Sequence, residues 1–234
     1  MKVITILIFL IILNGCGIGP TFNIDVDSLR TTTPAPGNKY VLLPGNKGIL
    51  KNDLQYQEFA RYTNRALRLK GYQHANNIHE ANIAIMLEYG IGAPKTEHYT
   101  YSTPTWGQTG VSSSSTYGRV TSYTNTANYS ATTTYTPTYG VTGTTTHAGS
   151  RTSYFRFMRL TAIDTHEYKM TDRVIPVWET TVTSSGSSGD LRQVFPVLVA
   201  ASMPYISRNT GKKVRVNITE SDKKVDIIKG IEKK

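Results

Sequence analysis

Cysteine is almost missing from this chain: its 234 residues include one, Cys16. A secreted fold stapled by disulfides carries an even set, so that class is excluded. Long apolar runs are equally scarce. Past the first fifteen residues nothing approaches the roughly 20 consecutive apolar positions a spanning helix requires, and no second helical membrane segment is expected. Acid is under-represented too, with 16 Asp and Glu against 26 Lys and Arg and a net charge of +10. From about residue 95 to 149 acidic side chains nearly vanish and aliphatic ones are few, so this stretch cannot build an aliphatic core of its own.

The amino terminus carries the most specific signal. Met1-Lys2 is followed by an apolar run from Val3 to Leu13, broken only by Thr5. That is the length of a signal-peptide core, too short to span a bilayer. Leu13-Asn14-Gly15-Cys16 comes directly after it and resembles the lipobox of bacterial lipoproteins, with Asn14 a slightly unusual member. The resemblance implies that a diacylglycerol is transferred to the Cys16 sulfur, that the chain is cut between Gly15 and Cys16, and that the new amino group is acylated. The bland alternative is an ordinary signal peptide ending near a cysteine. Against it, the one thiol stands where lipidation needs it. Each buried methylene adds about 0.8 kcal/mol and two or more chains anchor stably. Enteric lipoproteins with Asp after the cysteine stay in the inner membrane. Gly17 lacks that signal, so an outer-membrane anchor facing the periplasm is expected.

Residues 16–21 then read as a tether, 22–219 as one folded domain and 220–234 as a basic tail. Loss of the leader removes Lys2 alone, leaving a net charge of +9. Anionic envelope partners suit that charge, and the export signal argues against nucleic acid. Phe22 to Asp27 alternates apolar and polar as a half-buried strand does. Lys39 to Leu43 is a second strand, ended by Pro44-Gly45. Asn52 with Gln55 forms a capping box, predicting a helix from Asp53 to about Lys70. Ala81 to Tyr89 and 151–167 read as strands, and Val174 to Val182 as an antiparallel neighbour of the latter. After a turn at 184–189, Asp190 opens a second helix, apolar nearly all round, which Pro196 should kink and Pro204 should end. Lys212 to Ile218 is the last strand. This order predicts an α+β fold: a mixed or antiparallel sheet with two helices on one face.

The insertion at about 96–149 is rich in Thr, Ser, Tyr and Gly. Tyr117, Tyr123, Tyr129 and Tyr135 recur every six residues, and even spacing shares one face of an extended strand. A β-hairpin extension bearing a tyrosine face fits; so does low-complexity sequence with chance spacing.

With these elements placed, the chain resembles a family of bacterial envelope lipoproteins built around a domain of unknown function, the DUF4136 type. The likeness rests on the lipobox, Thr161-Ala162-Ile163-Asp164, Trp178-Glu179, Ser184-Ser185-Gly186 leading into Asp190-Leu191-Arg192, Pro196, and Met203-Pro204-Tyr205. It implies an α+β fold and an envelope address, with no activity to carry over.

Chemistry is otherwise thin. The five histidines, His74, His79, His98, His147 and His166, show no zinc-ligand spacing, so no metal and no cofactor beyond the lipid on Cys16 is expected. Ser187 and Ser188 fall one residue short of a nucleophile elbow, which leaves a hydrolase as the weakest reading. Arg61, Arg65 and Arg68 form a ridge on the first helix, able to meet lipopolysaccharide or another anionic glycan, or simply to face water. Trp178 reads as core. The favoured function is a non-enzymatic accessory or structural lipoprotein contacting other envelope proteins; a glycan- or lipopolysaccharide-binding module is the alternative. Cys16→Ser is expected to abolish thioether formation. In membrane fractionation the variant should appear as an unprocessed or soluble chain rather than in the lipidated outer-membrane fraction.

Overall fold

The computed structural model describes residues 20–33 and 36–231. The lipidation site Cys16 and the cleavage position Gly15 lie outside the described residues. The elements in chain order are β1 (Thr21–Arg30), β2 (Lys39–Pro44), α1 (Leu54–Leu69), β3 (Gln73–His74), β4 (Ile83–Ile91), β5 (Lys95–Tyr123), β6 (Thr126–Asp164), α2 (Thr165–Thr171), β7 (Pro176–Gly186), α3 (Leu191–Ser202), β8 (Val214–Thr219) and α4 (Lys223–Lys229). The fold is α+β, with one eight-stranded sheet in the order β3-β2-β4-β6-β7-β1-β8 and β5 paired to β6. β2 runs parallel to both β3 and β4, whereas β4–β6, β6–β7, β7–β1 and β1–β8 are antiparallel, so the sheet is mixed. The parallel β2–β4 pair is bridged by the α1 crossover, the connection a parallel neighbour demands.

Two compact units make up the described chain: one from residues up to Lys95 and from Thr152 onward, and one from Thr96–Arg151. In the first, period-two alternation decides which residues are buried. Phe22, Ile24 and Val26 of β1, Ile83, Ile85 and Leu87 of β4, and Met158, Leu160 and Ala162 of β6 enter one core. Helix α1 covers that face with Tyr56, Phe59, Ala66 and Leu67, and α3 with Val194, Phe195, Leu198 and Val199. Phe59 stacks on Phe195 at 3.9 Å between centroids, and the edge of Tyr89 on β4 meets Phe59 at 4.7 Å. Two helices and the sheet therefore meet at three rings.

Several boundaries depart from the sequence expectations. The cap of α1 is Asp53 rather than Asn52, its carboxylate accepting from the Tyr56 amide at 2.9 Å. The expected strand at 151–167 stops at Asp164, whose side chain caps α2 by accepting from the amides of His166 and Glu167. Beyond it, α2 lies on the opposite side of the sheet from the main core, where Thr165 and Tyr168 stand with Ala84 and Met86. Residues 184–186, read as turn, continue β7. Helix α3 runs through Pro196 as a single helix. The carbonyl that loses its donor belongs to exposed Arg192, where water can answer it. The expected pair of helices on the core face is joined by a third: α4, within the segment read as basic tail, buries Val225 and Ile228 in the same core.

Thr96–Arg151 is a single β-hairpin made by β5 and the first part of β6, turning at Thr124-Asn125, where Thr124 takes a positive φ of 28°. The 29 residues of β5 at about 3.3 Å rise each give a ribbon on the order of 90 Å long. No residue of this unit is buried.

Truncating the central ring tests the core. Phe195→Ala should cost about 3–5 kcal/mol, the range for a fully buried aromatic, measured by urea unfolding of the whole chain.

Candidate interaction surfaces

The hairpin owes its conformation to composition. Threonine and tyrosine favour extended backbone, and their side chains pair across strands. Thr116 and Thr133 share a hydroxyl hydrogen bond at 2.9 Å, Ser102 and Thr146 one at 3.3 Å, and Thr103 meets His147 Nε2 at 2.9 Å. Tyr101 stacks on the His147 ring at 5.2 Å. Backbone space is filled the same way: the Tyr129 ring lies over Gly118, so that a Cβ there would sit 2.7 Å from it.

That contact also divides the four tyrosines. Tyr129 covers the face that Gly118 presents, and Tyr117, the adjacent residue, points to the other. Tyr123 shares parity with Tyr117 on β5, and Tyr135 with Tyr129 on β6. The single tyrosine face expected from the spacing is thus two faces, because the chain reverses at Thr124-Asn125 between Tyr123 and Tyr129. All four rings are more than 60% exposed. Trp106 and Tyr139 of the same hairpin are exposed as well.

The arginine ridge is likewise split. On α1, Arg61 and Arg68 are exposed, with Arg61 over the Tyr62 ring at 5.4 Å. Arg65 donates from Nη1 to the Ile228 carbonyl at 2.6 Å. This places a cation at the carboxyl end of α4, where the helix dipole favours it. Gly230, at φ 76°, lies against the Arg65 guanidinium with no room for a Cβ. Arg65 therefore works as a clamp between α1 and α4. The cleft beside it, lined by Leu69, Lys223, Asp226 and Ile231 among others, encloses about 940 Å³.

The weaker candidates lie apart. Ser188 donates to Gln193 Oε1 at 3.0 Å and accepts from the Asp190 amide, and Asp190 caps α3. Trp178 is buried in the core. His74 meets the Tyr40 ring edge-on at 5.3 Å. Among the described residues no three His, Cys, Asp or Glu side chains converge as a metal site, and no helix is long and apolar enough to cross a membrane.

One residue escaped the sequence reading. Arg156 is 1% exposed and donates to the Ser188 carbonyl at 3.1 Å and to Ser184 Oγ at 3.2 Å. Burial lowers its pKa below the usual arginine value. It ties β6 and β7 to the loop entering α3, and Gly186 makes room for its guanidinium. The signal was its parity, since Arg156 falls in line with Met158, Leu160 and Ala162.

No protein-family model matches the chain, and no curated protein matches it. Among solved structures, a PDZ domain protein from Parabacteroides distasonis is similar at a TM-score of 0.37 and 12% identity, over 86% of this chain and 40% of that one. The lysenin pore is similar at a TM-score of 0.14 and 8% identity, over 86% of this chain and 50% of that one. The chain thus spans half or less of the length of either.

Arg65→Ala should release α4 and raise amide hydrogen exchange in residues 223–230 by at least tenfold. Arg61→Ala with Arg68→Ala, removing exposed side chains, should leave exchange there unchanged and stability within about 0.5 kcal/mol.

Proposed function

We propose that this protein is a non-enzymatic, lipid-anchored envelope lipoprotein, held at the outer membrane through Cys16 and facing the periplasm, whose hairpin makes its contacts with other envelope proteins. The proposal keeps the DUF4136-type lipoprotein resemblance as its family reading. One observation carries it: Thr96–Arg151 is an ordered two-stranded ribbon in which no residue is buried. A two-stranded ribbon is at best marginally stable in water, and an open strand edge is a template for another strand. The exposed Thr, Ser and Tyr side chains of these fifty-odd residues present a large surface beyond their cross-strand contacts. Tyrosine rings with hydroxyls at the rim suit protein contacts, offering apolar area and hydrogen bonds together.

The body supports the same reading. Buried polar groups in it tie elements together: Ser28 meets Thr180 at 2.7 Å, and Thr165 bonds the Ala81 carbonyl. The alternative, anionic glycan or lipopolysaccharide, draws on the ridge of Arg61, Arg65 and Arg68, of which Arg65 is already engaged. It is the weaker reading on that ground.

Deleting 96–151 and joining the flanking strands tests the assignment. Affinity capture from detergent-solubilised envelopes should lose its partners with the deletion, while the remaining body keeps its cooperative unfolding transition. An unchanged set of partners would remove the hairpin as the contact.

A further inference from the structure

The kind of partner the hairpin fits can be read from its edges. Each of its two strands uses one edge for the other, and among the described residues no further strand pairs with the outer edge of either within the hairpin. Proteins ordinarily blunt such edges with lysines, prolines or a covering element. Here Arg119 is the one Lys, Arg, Asp or Glu between residues 98 and 150. Pro104 and Pro137 each remove one backbone donor, but 105–123 on β5 and 126–136 on β6 are free of proline. Nothing in that stretch has a charge pattern that would select a charged partner.

What the edges do offer is their own chemistry. β5 and β6 draw on the same residues, Thr, Ser, Tyr and Gly, and pair by hydroxyl contacts such as Thr116–Thr133 and Thr109–Thr138. A β5 edge of one copy meeting a β6 edge of the next would reproduce the junction already formed inside the hairpin. From 127 to 141, β6 also alternates Ala, Tyr and Val with Thr, Ser, Asn and Gly, interrupted at Thr133 and Pro137. A sheet made of such hairpins would have a face enriched in rings from every copy. Such a contact joins two different edges, so it is heterologous and propagates until a ring closes, which abolishes the open edges.

We infer that the hairpin Thr96–Arg151 is a self-assembly arm, its outer β5 edge pairing with the outer β6 edge of a second copy of this chain. The inference rests on the reading of the hairpin as the contact surface and names the partner. Its test uses the full lipidated chain in detergent, studied by sedimentation velocity and native mass spectrometry. The wild type should form a discrete oligomer. Thr132→Lys with Thr136→Lys, placing charge on the exposed β6 edge, should reduce it to monomer at the same concentration with the thermal midpoint of the body unchanged. Ala131→Pro should do likewise: the carbonyls of Thr136 and Thr138 face β5, so the N–H of an odd position such as Ala131 belongs to the outer edge, and proline weakens that edge without charge. Arg61→Ala with Arg68→Ala should leave the oligomer intact.

A wild type monomeric throughout the accessible concentration range overturns the inference. So does an oligomer that survives both edge variants. A monomer that still captures a different envelope protein through the hairpin removes self-assembly while the contact-surface reading stands. A monomer whose captured partners are indifferent to hairpin deletion removes both.

Discussion

The stack of Phe59 on Phe195, edged by Tyr89, joins the parts of the body that the chain brings together from far apart. Phe59 belongs to the crossover helix between parallel strands, Phe195 to the helix after β7, and Tyr89 to β4. Burial of these rings commits one face of the sheet to helices. The order of strands, the parallel β2–β4 pair and the docking of α4 through Arg65 are all consistent with that one commitment. Residues on the other face, such as Ala84 and Met86, are covered by the short α2 and by the segment carrying Ala75, Ile78 and Ala81.

Within β6 that supply of apolar contact stops partway along a single strand. Its carboxyl-terminal part alternates buried and half-buried residues, with Met158, Leu160 and Ala162 in the core. Its first part, from Thr126, has no buried residue at all. The backbone conformation is the same along both, so the difference lies in side-chain composition rather than in strand formation. Thr and Tyr hold the ribbon extended through cross-strand hydroxyl contacts and ring coverage of glycines. They leave its outer surface unused. In the proposed account the body is a stable platform and the hairpin is the part that acts.

Much of the body was legible because its signals are local. Alternation at Phe22, Ile24 and Val26 and the Asp190 cap before α3 are readable in single windows, whereas the cap of α1 falls one residue beyond the expected Asn52. Where reading failed, the deciding contact was distant or the element too short. Asp164 ends β6 by capping α2, yet in sequence the strand pattern runs past it. α4 has seven residues and a high lysine content, so charge masked the Val225–Ile228 spacing that buries it. The two tyrosine faces could not be found from spacing alone, since they depend on where the hairpin turns. The demotion of Arg65 from ridge to clamp depends on Ile228, more than 160 positions away. Cys16 remains the residue whose chemistry the sequence names most specifically.

The central claim is that the hairpin depends on a partner whereas the body does not. Hydrogen exchange on the unlipidated chain at high dilution, set beside the lipidated chain in native membranes, tests it most directly. Amides of 107–142 should exchange orders of magnitude faster than those of β4 and β7 in the dilute chain and become protected in the membrane. Equal protection of hairpin and body in the dilute monomer, unchanged in the membrane, would contradict it.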